Sequence, residues 1–327
     1  MNKIIIPLQI IELSKFLLFS LLIYFLNYSR SVELFQQYKA TNLKICICTL
    51  GKEENKYINE FVEYYKNYGV DKIYLYDNND IKGERFDKVI GKYIESDFVK
   101  LMDWRGIKGN ETYYKIMDSC YQSFHDIYDW LIFYELDEFI YLKDYNNIKD
   151  FLTNKKFDKC DSIQLNWVHM SDNNKIFYEN KSLIERFPKE GKNIKKDKKN
   201  KIRYVKTIVR GHLKNISVTD NHLISDQLNA CNGFGKKSQL KGIKALNPDY
   251  KYYYIKHYYS KTVQEFIEKI NRGDLLRGNS KETIEWAIEK FFYINKITSK
   301  KIKYIKKKLG SEYNLSKYVQ KLKKSHN

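Results

Sequence analysis

The stretch Trp130-Leu-Ile-Phe-Tyr-Glu-Leu-Asp-Glu-Phe139 (WLIFYELDEF) decides how the chain is read. Its first five residues, Trp130–Tyr134, are uniformly apolar and read as a buried strand. The strand runs straight into three acids, Glu135, Asp137 and Glu138. A carboxylate next to a buried strand is costly unless something pairs with it. In extended chain, residues i and i+2 share a face, so Glu135 and Asp137 are expected to point together and Glu138 away. Two carboxylates on one face suit a hard divalent cation, Mn²⁺ or Mg²⁺. Such an ion would neutralise a diphosphate. The plain alternative is a solvated acidic turn in which Glu138 caps backbone.

Working outward, Leu43–Leu50 (LKICICTL) reads as another buried strand, followed by the polar turn Gly51–Asn55. Tyr57, Ile58, Phe61, Val62, Tyr65 and Tyr68 then recur at helical spacing, and Gly69 supplies the stop. Lys72–Tyr76 and Phe98–Met102 read as strands, and Ile116, Met117, Cys120, Tyr121 and Phe124 mark a helix between Met102 and Trp130. Further on, Ser162–Val168, Val205–Val209 and Tyr252–Tyr258 read as strands. Val263, Phe266, Ile267 and Ile270, then Ile284, Ala287, Ile288 and Phe291, read as core-facing helical stripes. Strands alternating with helices predict an α/β body with a mainly parallel sheet flanked by helices. Ligands of such a sheet sit beyond the carboxyl ends of its strands.

The composition agrees with one folded body. The chain has 327 residues, 43% hydrophobic and 30% charged, with 14 Gly and 3 Pro. That excludes a disordered, collagen-like or polytopic membrane protein. The net charge of +19 is uneven. Lys189–Lys206 carries +7 and Lys290–Asn327 carries +11, leaving the remainder almost neutral. No nucleic-acid-binding motif accompanies these segments, and the carboxyl-terminal one has no Arg for bidentate base contacts. The expectation is therefore no specific nucleic-acid partner. A basic tail over 291–327 fits water or an anionic membrane surface better. Residues 4–26 are mostly apolar, interrupted by Gln9, Glu12 and Lys15, and are long enough to span a bilayer as an uncleaved anchor. Glu12 and Lys15 lie three apart and can pair on a helix. The five cysteines form no CxxC pair. Cys46 and Cys48 read as buried thiols, while a disulfide among Cys120, Cys160 and Cys231 suits a lumenal body. Sequons occur at Asn27, Asn110, Asn180, Asn215 and Asn314.

Taken in order, several blocks resemble glycosyltransferase family 92. They are Ile47–Asn55 with Phe61–Tyr65 and Gly69-Val-Asp; Ile73–Asn79; Phe133–Phe139; Leu165-Asn-Trp167; Glu185-Arg-Phe187; Lys206–Val209; and His257-Tyr258 through Phe266, Lys269 and Arg272-Gly273. The resemblance covers roughly residues 44–275. It implies a GT-A-like single catalytic domain and a metal-dependent, inverting transfer of a hexose, galactose or a near relative, from a UDP-sugar to a glycan or glycoconjugate. It further implies that Thr49, Glu53 and Asp77 line the nucleotide pocket and that Asp137 is the main metal ligand. Glu135 would touch metal or donor, although the family usually has Asp there. His257 would complete the metal shell, and Lys261, Lys269 and Arg272 would neutralise the diphosphate.

An inverting mechanism needs a carboxylate base for the acceptor hydroxyl. Asp172, in the loop after Trp167-Val-His-Met-Ser171, is the first candidate; Glu185, Asp220 and Asp226 are rivals. Loops 108–110 and 171–180 would shape acceptor choice. The expected organisation is an anchor and short stem over 1–42, a catalytic domain over 43–290 and the tail. That places a single-pass type II protein in the Golgi or endoplasmic reticulum, if the source is eukaryotic. Two other readings compete: a non-catalytic domain binding glycans or polyanions, and a nucleotidyltransferase, which would release pyrophosphate.

Overall fold

The computed structural model describes residues 18, 21–33, 42–107, 112–192, 204–218, 222, 228–241, 244–245, 247–273 and 280–309. Expectations placed on residues 4–17 and 19–20, on loop 108–110, on Asp220 and Asp226, and on residues 310–327 lie outside the described residues.

Helix α1 (residues 21–33) precedes the body. The first half of the body then runs β1 (Ile45–Gly51), α2 (Asn55–Asn67), β2 (Lys72–Asp77), α3 (Asp87–Glu95), β3 (Val99–Asp103), α4 (Thr112–Phe124), β4 (Trp130–Ile132) and β5 (Glu138–Leu142). After α5 (Ile148–Leu152) come β6 (Ser162–His169), α6 (Leu183–Arg186), β7 (Val205–Arg210), β8 (Ala230–Asn232), β9 (Leu240–Lys241), β10 (Lys244–Ala245) and β11 (Tyr253–His257). Helices α7 (Val263–Arg272), α8 (Lys281–Ile294) and α9 (Ser299–Leu309) follow.

The main sheet has the order β3-β2-β1-β4-β7-β6-β11-β5, with β8 also on β6. The pairs β1–β2, β2–β3, β1–β4, β6–β11 and β6–β8 are parallel. However, β7 runs antiparallel to both β4 and β6, and β5 runs antiparallel to β11. The sheet is therefore mixed: most of its pairings are parallel as expected, and the antiparallel ones fall at β7 and β5. The apolar pattern of Val205–Val209 marks burial, but it carries no information about strand direction.

Alternation along β1 sorts the core into two layers. Ile45 and Ile47 join Tyr57, Ile58 and Phe61 of α2 and Ile90 of α3 on one face. Cys46 and Cys48 join Ile116, Met117, Cys120 and Tyr121 of α4 on the other. Gly69, at φ +90°, lets the chain leave α2 in a conformation that other residues rarely adopt. A third apolar cluster brings together Val263 and Phe266 of α7, Ile288 and Phe291 of α8, and Ile305 and Leu309 of α9. The packed body therefore continues past residue 290, where a solvated tail was expected. Lys-rich α9 still presents an apolar stripe at helical spacing, and that stripe is what docks.

Two disulfides lie within these layers: Cys48–Cys120 ties β1 to α4, and Cys160–Cys231 ties β8 to the chain entering β6. Cys46 alone is a buried thiol, so the expectation of a free Cys48 is corrected. Its partner lies on α4, a helix 72 residues away that strand alternation cannot locate. On α1, Leu21, Leu22, Ile23, Phe25 and Leu26 are exposed. Among the described residues, no helix is long and apolar enough to cross a membrane.

Candidate functional site

The acidic stretch does not remain extended. The strand ends at Ile132, and the chain turns through Glu135–Asp137 before β5 begins at Glu138. The Glu138 N–H donates to the Glu135 carbonyl (3.0 Å), closing the turn, and a Glu138 carboxylate oxygen accepts the Glu135 N–H (3.0 Å). Helix α2 fixes this turn from one side. The Tyr65 hydroxyl donates to the Glu138 carbonyl (2.9 Å) and accepts from the Ile140 N–H (3.1 Å). β11 fixes it from the other, since the Tyr258 N–H donates to the Asp137 carbonyl (2.9 Å). Gly51 permits the close approach of the turn to β1, because a Cβ there would lie 2.5 Å from Leu136 Cδ1.

Glu135 and Asp137 meet His257, which closes β11, with one ligand atom of each within 4.8 Å of the others. His257 Nε2 lies 3.4 Å from Asp137 Oδ1. Neither atom has a hydrogen-bond partner, although both are buried. Orphaned acceptors on a buried carboxylate and a buried imidazole are costly as they stand, and they are the donor set of a divalent cation. The residues therefore fit a metal ion. Glu135 and Asp137 do converge, but a turn, not the expected strand alternation, joins them. Glu138, expected to point away, stays beside them. In the fold Glu138 is fully buried and shares Lys206 with Glu135.

Lys206 stands on β7 with no exposed surface, its Nζ 2.6 Å from Glu135 and 3.3 Å from Glu138. Burial alone would lower its pKa, but the two carboxylates raise it above the usual lysine value. Burial pushes Glu138 up to about 8 despite Lys206. For Glu135, burial acts upward but Lys206 outweighs it, bringing the value to about 2. Asp137 falls well below the carboxylate range because Lys269 and His257 overcome its burial. Burial holds His257 at about 4, so its ring is neutral and its lone pair is available near neutral pH.

A cationic wall faces these acids. Lys269 Nζ is 3.0 Å and Lys261 Nζ 4.0 Å from Asp137 Oδ2. Arg272 Nη1 is 2.7 Å from Glu54 Oε1, and Lys261 is 3.4 Å from Glu54 Oε2. Lys269 and Arg272 lie in the last turn of α7, whose start is fixed by a capping box between Thr262 and Glu265. The structure thus brings Glu135, Asp137, His257, Lys261, Lys269 and Arg272 together.

The other expected residues are placed differently. Thr49, on β1, is fully buried with an unpartnered hydroxyl. Asp77, at the end of β2, accepts from the Asn79 N–H and side-chain amide and pairs with Arg105 at 3.2 Å, which orders the loop beyond it. Glu53 is exposed and meets Arg272 only through its carbonyl, 3.2 Å away. Its neighbour Glu54 is the carboxylate that points into the cationic wall. Asp172 is buried, and both its oxygens accept from Lys301 of α9, at 2.8 and 3.1 Å. It would have to give up that ion pair before taking a proton. Glu185 is exposed on α6.

Glu54 and Lys206 carry no assigned role in the sequence, nor do the rings of Trp167, His169 and Tyr259 beside His257, while Glu138 stands there only as a backbone cap, a bond it does make to the Glu135 N–H. Lys206 did carry a signal: a lone lysine inside an otherwise apolar strand needs a buried anion.

The sequence profile described as Glycosyltransferase family 92 matches residues 41–312. A glycosyltransferase family 92 protein of Ricinus communis is 27% identical over 113 residues, which are 34% of this chain and 20% of that protein. One of Oryza sativa subsp. japonica is 24% identical over 111 residues, 34% of this chain and 18% of that one. These alignments span about a fifth of the length of the curated relatives. Among solved structures, S. aureus TarS 1–349 in complex with UDP aligns with a TM-score of 0.37 and 13% identity, covering 76% of this chain and 71% of that one. That likeness is too distant to bear on activity.

Proposed function

Because the chain belongs to glycosyltransferase family 92, we propose that it is a GT-A-like, metal-dependent, inverting glycosyltransferase. It moves a hexose, galactose or a near relative, from a UDP-sugar to a glycan or glycoconjugate. The observation that carries this reading is the meeting of Glu135, Asp137 and His257 beside Lys261, Lys269 and Arg272. A Mn²⁺ or Mg²⁺ ion held by the first three would supply charge neutralisation to the donor diphosphate. Lys261, Lys269 and Arg272 would donate to phosphate oxygens, exchanging their present carboxylate partners for the substrate. Thr49 and Asp77, at the ends of β1 and β2, would face the nucleoside. The base that accepts the proton of the acceptor hydroxyl is not assigned, since Lys301 holds Asp172.

The same reading places the body on the lumenal side of a membrane, with α1 as part of a type II anchor in the Golgi or endoplasmic reticulum. Its support is the exposed apolar surface of α1 and the two disulfides, which persist in oxidising compartments.

One observation favours a variant of this mechanism. Lys206 and Lys269 already neutralise Glu135 and Asp137, which suits a transferase whose diphosphate is held by cationic side chains alone. One experiment tests both. The protein is incubated with Mn²⁺ and a panel of nucleotide sugars, with and without EDTA, and nucleoside diphosphate release is followed. Release that needs the metal and disappears in Asp137→Ala supports the first reading. Release that survives EDTA supports the variant. No release with any donor, and no UDP binding, would sink both.

A further inference from the structure

A second concave site lies away from the acidic cluster. It is a cavity of about 590 Å³ between the β8 turn, the start of β11 and the middle of β6. Its lining is rich in amides and aromatic rings: Gln164, Asn166, Asn232, Asn247, Phe234 and Tyr252. Alternation along β6 separates it from the first site. Gln164 and Asn166 project to one face of the sheet, whereas Trp167 and His169 project to the other, where Trp167 and His169 meet the His257 ring. Along β11, Tyr253 at the cavity is four residues from His257, about 13 Å at the rise of a strand.

The cavity is built rather than incidental. The Cys160–Cys231 disulfide fixes β8 at its edge. The Asn232 side chain accepts from the N–H groups of Phe234 (3.0 Å) and Lys236 (3.2 Å), setting the turn that holds up the Phe234 ring. Phe234 is 40% exposed, its ring centroid 5.0 Å from that of Tyr253 and 5.8 Å from that of Tyr252. Asp249 accepts from the N–H groups of Lys251, Tyr252 and Tyr253, which fixes the turn leading into β11. Gln164 is the residue without a local explanation. It is 3% exposed, and its Oε1 is buried with no hydrogen-bond partner. A buried amide oxygen is normally satisfied, and Gln164 is among the residues lining a cavity large enough for a ligand.

Amides both donate and accept, which matches the hydroxyls of a sugar, and an exposed aromatic ring packs on the apolar face of a pyranose. We propose that this cavity is a second, non-catalytic carbohydrate site that holds a neutral sugar unit of a glycan. It would accept that unit through Gln164 and the neighbouring amides and stack it on Phe234. The proposal does not depend on the transferase reading, because it requires binding and no reaction.

The test is a ligand-observed NMR titration of the full chain with lactose and with chitobiose, no nucleotide or metal being added. The expected result is binding of at least one disaccharide with a Kd of about 1 mM. Phe234→Ala and Gln164→Leu should each weaken it at least about fivefold, and Asp137→Asn should leave it unchanged. Phe234 is exposed, so its variant keeps the test meaningful if Gln164→Leu fails to fold. Three outcomes would overturn the proposal: neither disaccharide binds, binding survives Phe234→Ala intact, or Asp137→Asn abolishes it.

Discussion

Glu265 is a buried carboxylate surrounded by donors. Arg186 grips it from two sides, Nη1 to Oε2 at 2.8 Å and Nη2 to Oε1 at 3.0 Å, and neither side chain is more than 1% exposed. The Tyr57 hydroxyl (2.6 Å) and the Thr262 N–H (3.0 Å) complete its shell. Burial pushes its pKa up, but these donors, Arg186 first, bring it from an ordinary 4.5 to about 2. That displacement corresponds to about 3 kcal/mol in favour of the folded state near neutral pH. The sign follows from the depressed value. The contribution is present above about pH 4.5 and is lost as pH falls towards 2, because the unfolded chain takes up the proton first. In Glu265→Gln the shape is kept, while Arg186 is left buried and unpaired. The variant should be about 3–5 kcal/mol less stable at about pH 7. Its gap from wild type should narrow by about 1 kcal/mol at about pH 4 and about 2 kcal/mol at about pH 3. Urea unfolding followed by tryptophan fluorescence reads both numbers. A gap that stays constant over this range, or falls below about 1 kcal/mol at neutral pH, would refute the reasoning. The consequence reaches the candidate site, since this pair holds the start of the helix that carries Lys269 and Arg272.

Four further outcomes are expected. Lys206→Met should leave the ionised Glu135 without its cation and cost about 1–3 kcal/mol in urea unfolding near neutral pH. Asp172→Asn should keep nucleoside diphosphate release within about tenfold of wild type but lower the thermal midpoint, whereas a catalytic base would lose about 10²–10⁴ in rate. Removing the Cys160–Cys231 disulfide by a Cys160→Ser, Cys231→Ser pair closes no loop across a separation of 71 residues and should cost about 4 kcal/mol in chemical unfolding. Deleting residues 310–327 should weaken binding to anionic liposomes at low salt, and unchanged sedimentation with the vesicles would rule out a membrane role for that basic segment.

Much of the fold was legible because apolar periodicity is a local property. Leu43–Leu50, Lys72–Tyr76 and Ser162–Val168 fell close to β1, β2 and β6, since each element writes its burial into its own residues. What failed depended on partners distant in sequence. The direction of β7 is set by its neighbours β4 and β6, and nothing in Val205–Val209 records it. Glu53 and Glu54 are indistinguishable in the string, and only the helix start at Asn55 turns the second inward to Arg272. Asp172 looked catalytic because loops carry function, but Lys301 lies 129 residues later on a helix that reads as solvated tail.

By itself, then, the sequence determined an α/β body, a buried strand running into acids and a cationic helix end, because hydrophobic spacing and charge are carried residue by residue. Only the tertiary structure decided that Glu135 and Asp137 meet in a turn, that Lys206 holds Glu135 and Glu138, and that Cys48 finds Cys120. Those pairings are set where strands end and helices dock, by contacts between segments up to about 200 residues apart, and no local pattern encodes them.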